Sequence, residues 1–314
     1  MVWIGFLWCF DRVLGWFRTS TDLHGCAWMM RIWFWRSGWN CLFVMGAGLY
    51  GKVFSFLDVV FVMSLIEEVK KKREFAGLPD SIVLLALEKN KEDVVETRKF
   101  LRKYFGVFLT NRVLRGKGNI LESHISSRKR DYEEFYDKIF SSAGLSSGLF
   151  DISGKRRVKV LDLGCGVNGF SYACLEGVLG RIDYVGVEAA LQLVDQMNVF
   201  FDEKGYRGLA VCGDLMDRNF VRDVLDMKRF DVCFLFQVVD ALENMKRDYS
   251  KVLIEMIMED VGLVVISLPV VSLGGRNRIS SERRSWLVDW LKESFDLLDD
   301  FELYGERVLV CRDI

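Results

Sequence analysis

The sequence predicts an α/β protein: a mostly parallel sheet with an antiparallel C-terminal hairpin strand, preceded by a small N-terminal helical bundle. Three observations lead there. Short aliphatic runs at 158–163, 182–188, 209–214, 230–236 and 261–267 alternate with helical stretches, as buried parallel strands do. The first run ends in Gly164, Gly166 and Gly169, a strand-to-helix turn that lets backbone approach a ligand. The last two runs, 301–304 and 307–311, are separated only by Gly305-Glu306, which is hairpin spacing. With 314 residues, 51% hydrophobic content and two prolines, the chain has core enough for one large domain or two modest ones.

In chain order, residues 1–62 stand apart. Seven of the nine tryptophans fall between Trp3 and Trp39, and the apolar periodicity there is irregular. The longest apolar stretch, 41–62, is broken by Lys52 and Asp58, a poor match to the ~20 uncharged residues of a membrane span. A weak membrane-associating segment is the alternative. The preferred expectation is that this stretch lies outside the functional protein, that Met63 is a sensible start, and that the protein does not associate with membranes. Residues 63–120 read as a helical domain. Ser64-Leu-Ile-Glu67 has the form of a capping box, Leu78-Pro79-Asp80-Ser81 breaks one helix and caps the next, and 94–109 is an amphipathic helix. Its basic face carries Arg98, Lys99, Arg102 and Lys103, and a second basic group is Lys70, Lys71, Lys72 and Arg73.

Residues 121–314 form the sheet domain. A helix beginning near Phe170 follows the glycine turn, and the second strand ends at Glu188, 22 positions after Gly166. An acid there can accept both hydroxyls of a ribose. Asp214 closes the third strand, where it can receive an adenine amino group. Gln237 follows the fourth strand on the ligand side. A helix over 281–295 puts Trp286, Leu287, Trp290 and Leu291 on one face as core.

Charge is uneven. Residues 63–130 hold 16 Lys+Arg against 9 Asp+Glu, whereas 131–314 hold 22 against 32. A basic module joined to an acidic one suits an anionic partner, although a merely solvated helical surface has the same composition. Eight cysteines without a Cys-x-x-Cys pair fit a reducing compartment, and having only His24 and His124 argues against a histidine-built metal site.

The spacing Gly164-x-Gly166-x-x-Gly169 satisfies a dinucleotide fingerprint as well, so the turn alone does not name the cofactor. Three separated motifs are more specific. The loop His124-Ile-Ser-Ser-Arg128, the turn Leu161-Asp-Leu-Gly-Cys-Gly-Val-Asn168 and the segment Ile266-Ser-Leu-Pro-Val-Val-Ser-Leu-Gly-Gly-Arg276 resemble, in order, motifs of the aminoglycoside-resistance 16S rRNA (guanine-N7) methyltransferase family. The match runs from about residue 63 to the C-terminus.

The resemblance implies a Rossmann-like class I methyltransferase sheet, S-adenosyl-L-methionine as cofactor, no metal, and 16S rRNA or the 30S subunit as a cytoplasmic substrate. It implies that Arg128 binds the methionine carboxylate, Asp162 the amino group, and Gly164 and Gly166 the methionine and ribose portion. Gln237 would orient the target base, and Arg276 with the Ser272–Gly275 stretch would line the acceptor side. The two basic groups of the helical domain would grip rRNA phosphates. This chain departs from the family in having Gly169 where Pro is usual, Gln237 where Lys is usual, and Ser127 where Thr is usual. Two other functions stay open: methylation of a small molecule or protein, and RNA binding without catalysis.

Overall fold

The computed structural model describes residues 56–106, 109–114, 120–124, 127–142, 156–271 and 277–314. The chain divides into two units, Met1–Ser64 and Leu65–Ile314. Expectations for 1–55, for the joint at 116–119 and for 272–276 fall on residues outside the described ones.

Helix α1 spans Phe56–Lys70, so Ser64 lies inside it and the expected capping box does not form. The Ser64 hydroxyl donates instead to the Phe61 carbonyl at 2.7 Å. Helix α2 (Asp80–Lys89) starts after Pro79, where the sequence breaks the preceding helix, but no side chain caps it as expected, since its N-cap residue is the proline itself. Helix α3 (Val94–Leu101) is capped by Asp93, whose carboxylate accepts from the backbone N–H groups of Val95 and Glu96 at 2.8 and 2.9 Å. The helix expected to run on to residue 109 changes at Arg102–Gly106 into a π-helical turn. Val69, Phe75, Leu78, Val83, Leu87 and Leu101 form this module's core, and Met245 from the sheet domain enters it. Short helices α4 (Asn111–Leu114) and α5 (Ile120–Ser123) lead to α6 (Tyr132–Ser142).

The sheet has seven strands: β1 (Val158–Leu163), β2 (Ile182–Glu188), β3 (Gly208–Cys212), β4 (Val232–Phe236), β5 (Leu263–Pro269), β6 (Asp296–Leu303) and β7 (Glu306–Arg312). Their order is β3-β2-β1-β4-β5-β7-β6, with β7 antiparallel to both neighbours. Tyr304 and Gly305, both at positive φ, make the hairpin turn. Side chains alternate along each strand, so the sheet supplies two cores. Val160, Tyr184, Phe234 and Val265 meet α6, α7 (Tyr172–Leu179) and α8 (Leu191–Lys204) on one face. Leu161, Val185, Cys233 and Ile266 meet α9 (Arg218–Asp226), α11 (Tyr249–Met258) and α12 (Ser285–Ser294) on the other. Helix α10 (Val239–Met245) lies between β4 and α11 in the chain. Trp286 and Trp290, expected in the core, are half-buried at its margin with the Lys251 ammonium over both rings. Strand order reverses between β1 and β4, which opens a crevice at their C-terminal ends.

Candidate functional site

That crevice is a cleft partly open to solvent, with an enclosed volume of about 130 Å³. Its floor is the turn after β1. Gly164 and Gly166 have φ of 72° and 54°, a region that side chains rarely tolerate. A Cβ on Gly164 would also stand 2.7 Å from Val238 Cγ2. The backbone N–H groups of Gly164 and Cys165 donate to the Val187 carbonyl at 2.9 Å, tying the turn to the end of β2.

The acids expected at the strand ends are in place. Glu188 is half-buried on the cleft wall and accepts from Gly166 N–H at 2.9 Å and Ala190 N–H at 3.0 Å. Burial raises its pKa, and those N–H donors oppose the rise. Asp214 is 8% exposed and accepts from the Ser81 hydroxyl at 2.7 Å and from Met216 N–H at 2.8 Å. Burial raises its pKa, against the hydrogen bond from Ser81. Asp162 is fully buried beneath the turn rather than on the wall. The Tyr184 hydroxyl donates to its Oδ2 at 2.8 Å, while Oδ1 has no hydrogen-bond partner among the described residues. Burial pushes its carboxyl up to about 7.

The basic loop brings a correction. Arg128 is exposed and does not line the cleft; Arg130, two positions on, does. Arg130 makes a bidentate ion pair with Glu306, both contacts at 2.7 Å, and its Nη1 donates to Asn168 Oδ1 at 3.0 Å. Its guanidinium also lies over the rings of Phe135 and Phe236. Burial works against its charge, and Glu306 more than offsets this. The Ser267 hydroxyl donates to Glu306 at 2.6 Å, and the Ser267 carbonyl accepts from Gln237 N–H at 3.0 Å, so one network joins loop, β5, β7 and the β4 end. Gln237 sits on the cleft wall with φ of 57°, a strained value for a residue with a side chain. His124, for which the sequence suggested no role, also lines the cleft; burial, with the nearby Arg130 charge, holds its pKa down at about 4.

The helical module contributes a wall that the sequence did not announce: Ile82, Tyr104, Phe105 and Leu109 face the cleft. Its expected phosphate contacts divide. Lys70 pairs with Asp80 at 2.6 Å. Arg98, with its side chain 17% exposed, donates to the Glu68 carbonyl and reaches the Glu68 carboxylate, so it straps α3 to α1. These two hold the module's own elements together. Lys71, Lys72, Arg73, Lys99, Arg102 and Lys103 are exposed. Lys71 pairs with Glu68, Lys99 with Glu96 at 2.6 Å, and Arg102 with Glu74 at 2.7 Å. Arg276 lies outside the described residues. Among the described residues no His, Cys, Asp or Glu group is arranged to hold a metal, and no helix is long and apolar enough to cross a membrane.

No family model matches the sequence, and no curated protein matches it. Solved structures do. An rRNA methylase from Escherichia coli is similar over 81% of this chain and 100% of its own, with a TM-score of 0.61 and 18% identity. The 16S rRNA methylase RmtB is similar over 81% of this chain and 98% of its own, with a TM-score of 0.59 and 18% identity. The 16S rRNA methyltransferase RmtF, solved in complex with S-adenosyl-L-homocysteine, gives a TM-score of 0.61 at 18% identity over the same shares. At this identity the likeness is one of fold: the chain folds as these methyltransferases do, with a seven-stranded, mostly parallel sheet completed by an antiparallel hairpin strand.

Proposed function

We propose that this chain is an S-adenosyl-L-methionine-dependent methyltransferase that modifies 16S rRNA at a guanine N7, as free RNA or in the 30S subunit, in the cytoplasm. The observation that carries this reading is the succession of carboxylates at the ends of β1, β2 and β3 around one glycine turn. Each fits a different part of the cofactor. The buried Asp162 Oδ1, lacking a donor, suits the cationic amino group of the methionine portion, because an unsatisfied buried acceptor is costly. Glu188 suits the ribose hydroxyls and Asp214 the adenine amino group. From the basic loop, Arg130 replaces Arg128 as the residue to meet the carboxylate. RmtF, with the same fold, was solved with S-adenosyl-L-homocysteine.

S-adenosyl-L-methionine supplies a methyl group on a positively charged sulfur, and the N7 lone pair of guanine can displace it in line without first losing a proton. No strong base is then required, which agrees with a His124 held neutral by burial. The protein's part is alignment and exclusion of water. Gln237, on the cleft wall with its backbone N–H held by the Ser267 carbonyl, orients the base. Exposed Lys71, Lys72, Arg73, Lys99, Arg102 and Lys103 attract the phosphates. Their local ion pairs are solvent-exposed and weak, so phosphate can displace them.

The test is incubation of purified protein and labelled cofactor with 30S subunits and with naked 16S rRNA, followed by mapping of the modified base. A single labelled guanine N7 is expected. A second reading, methylation of a small molecule or protein, is favoured by the local pairing of Lys71, Lys99 and Arg102. Cofactor binding without label in either RNA substrate selects it. RNA binding without any cofactor binding selects a non-catalytic relative.

A further inference from the structure

We propose that Ser81, on the helical module, is a positioning residue for Asp214, so that the adenine end of the cofactor is read by both modules together. This rests on the cofactor reading above. Ser81 is the second residue of α2, and its hydroxyl donates to Asp214 Oδ2 at 2.7 Å across 133 residues of sequence. Met216 N–H takes Oδ1 at 2.8 Å. An ionised carboxylate has about four acceptor sites. Two donors from opposite sides therefore fix its plane and leave capacity for an incoming N–H. Gly213, Leu215 and Met216 line the cleft beside it, so that capacity faces the space where an exocyclic amino group would lie.

The geometry on the helical side is held independently. Lys70 grips Asp80, the residue before Ser81. The Gly77 carbonyl accepts the N–H of Leu191, an otherwise unpaired donor at the start of α8, at 3.1 Å. Ile82, the residue after Ser81, is itself a cleft-wall residue. The N-terminus of α2 also presents its positive dipole end to the carboxylate, which favours the ionised, acceptor-only form. Without the hydroxyl, Asp214 would keep Met216 N–H alone and could rotate away from the adenine edge. Ser81 is exposed, so its replacement leaves the cores of both modules intact.

The experiment is calorimetry on the full chain with two probes: S-adenosylhomocysteine and its purine analogue lacking the 6-amino group. Ser81→Ala is expected to weaken the first by about 3- to 10-fold, the worth of one hydrogen bond, and to change the second by less than about 2-fold. Ser81→Thr, which keeps a hydroxyl, is expected to restore binding. In combination with Asp214→Asn, Ser81→Ala is expected to add little further loss, since both act on one contact. Equal weakening of both probes, or no effect of Ser81→Ala on the first, overturns the inference while leaving the cofactor reading in place. Failure of the unaltered protein to bind S-adenosylhomocysteine removes the cofactor reading, and this inference with it.

Discussion

At the residue scale, Asp162 makes the sharpest prediction. A carboxyl at about 7 in the fold and near 3.8 when unfolded binds more protons in the native state between those values. Stability contributed at this site therefore falls as pH rises from about 4 through about 7, by a few kcal/mol in all. Melting temperature followed over this range is expected to decline more steeply in the wild type than in Asp162→Asn. Affinity for S-adenosylhomocysteine should move the other way, rising toward pH 7 as the carboxylate forms to meet the ammonium group. A wild-type profile parallel to that of Asp162→Asn, in both melting and binding, would remove the amino-group role. Arg130 gives a second test. Glu306→Ala strands a guanidinium inside the protein and is expected to cost about 3–5 kcal/mol in urea unfolding. Arg128→Ala, on the surface, should stay within about 0.5 kcal/mol and leave cofactor affinity unchanged. Asp162, Glu188 and Asp214 were legible from sequence because strand ends announce themselves through apolar runs. That Arg130 turns inward while Arg128 stays on the surface was not, because the partner that holds Arg130 is Glu306, 176 residues further along.

Among the elements, every expected strand is present, shifted by a residue or two where a run of aliphatics overshoots the hydrogen-bonded ladder. The hairpin is longer than its apolar core because Arg307 pairs with Asp300 and Arg312 with Asp296 across the strands, and charged positions carry no hydrophobic signal. Helices α9 and α11 lie beyond the elements expected from sequence, although Asp217 caps α9 and Val221, Val224 and Leu225 give it a buried face. The π-helical turn at Arg102–Gly106 was hidden for a different reason. Phe100, Tyr104 and Phe105 continue an ordinary helical period, so the extra residue in the turn leaves no mark in the sequence. Two glycines test how much of the site is backbone. Gly164→Ala combines a strained φ with a Cβ 2.7 Å from Val238, and should destabilise by about 1–3 kcal/mol. Gly177→Ala, exposed in the interior of α7 with open space around it, should be neutral or stabilising by up to about 1 kcal/mol. Chemical denaturation of the two side by side checks both signs.

For the whole molecule, the question is whether the basic helices are a detachable module or part of the body that forms the cleft. Composition argued for a grip, and charge alone could say no more. The packing joins them to the sheet domain: residues Leu65–Ile314 form one compact unit, Met245 enters the helical core, and Ile82, Tyr104 and Phe105 wall the cleft. Two kinds of defect should therefore separate cleanly. Replacing Lys71, Lys72 or Lys99 by Ala should weaken 30S association at low salt and reduce the slope of log affinity against log salt by about 1 for each phosphate left without its cation. S-adenosylhomocysteine affinity should not change, since these side chains point into solvent on the module's surface. Tyr104→Ala and Phe105→Ala should do the reverse, weakening S-adenosylhomocysteine several-fold by opening the wall while leaving the salt slope of RNA binding as it was. A lysine variant that altered cofactor affinity, or an aromatic variant that altered the salt slope, would mean that the two surfaces are not divided as the structure places them.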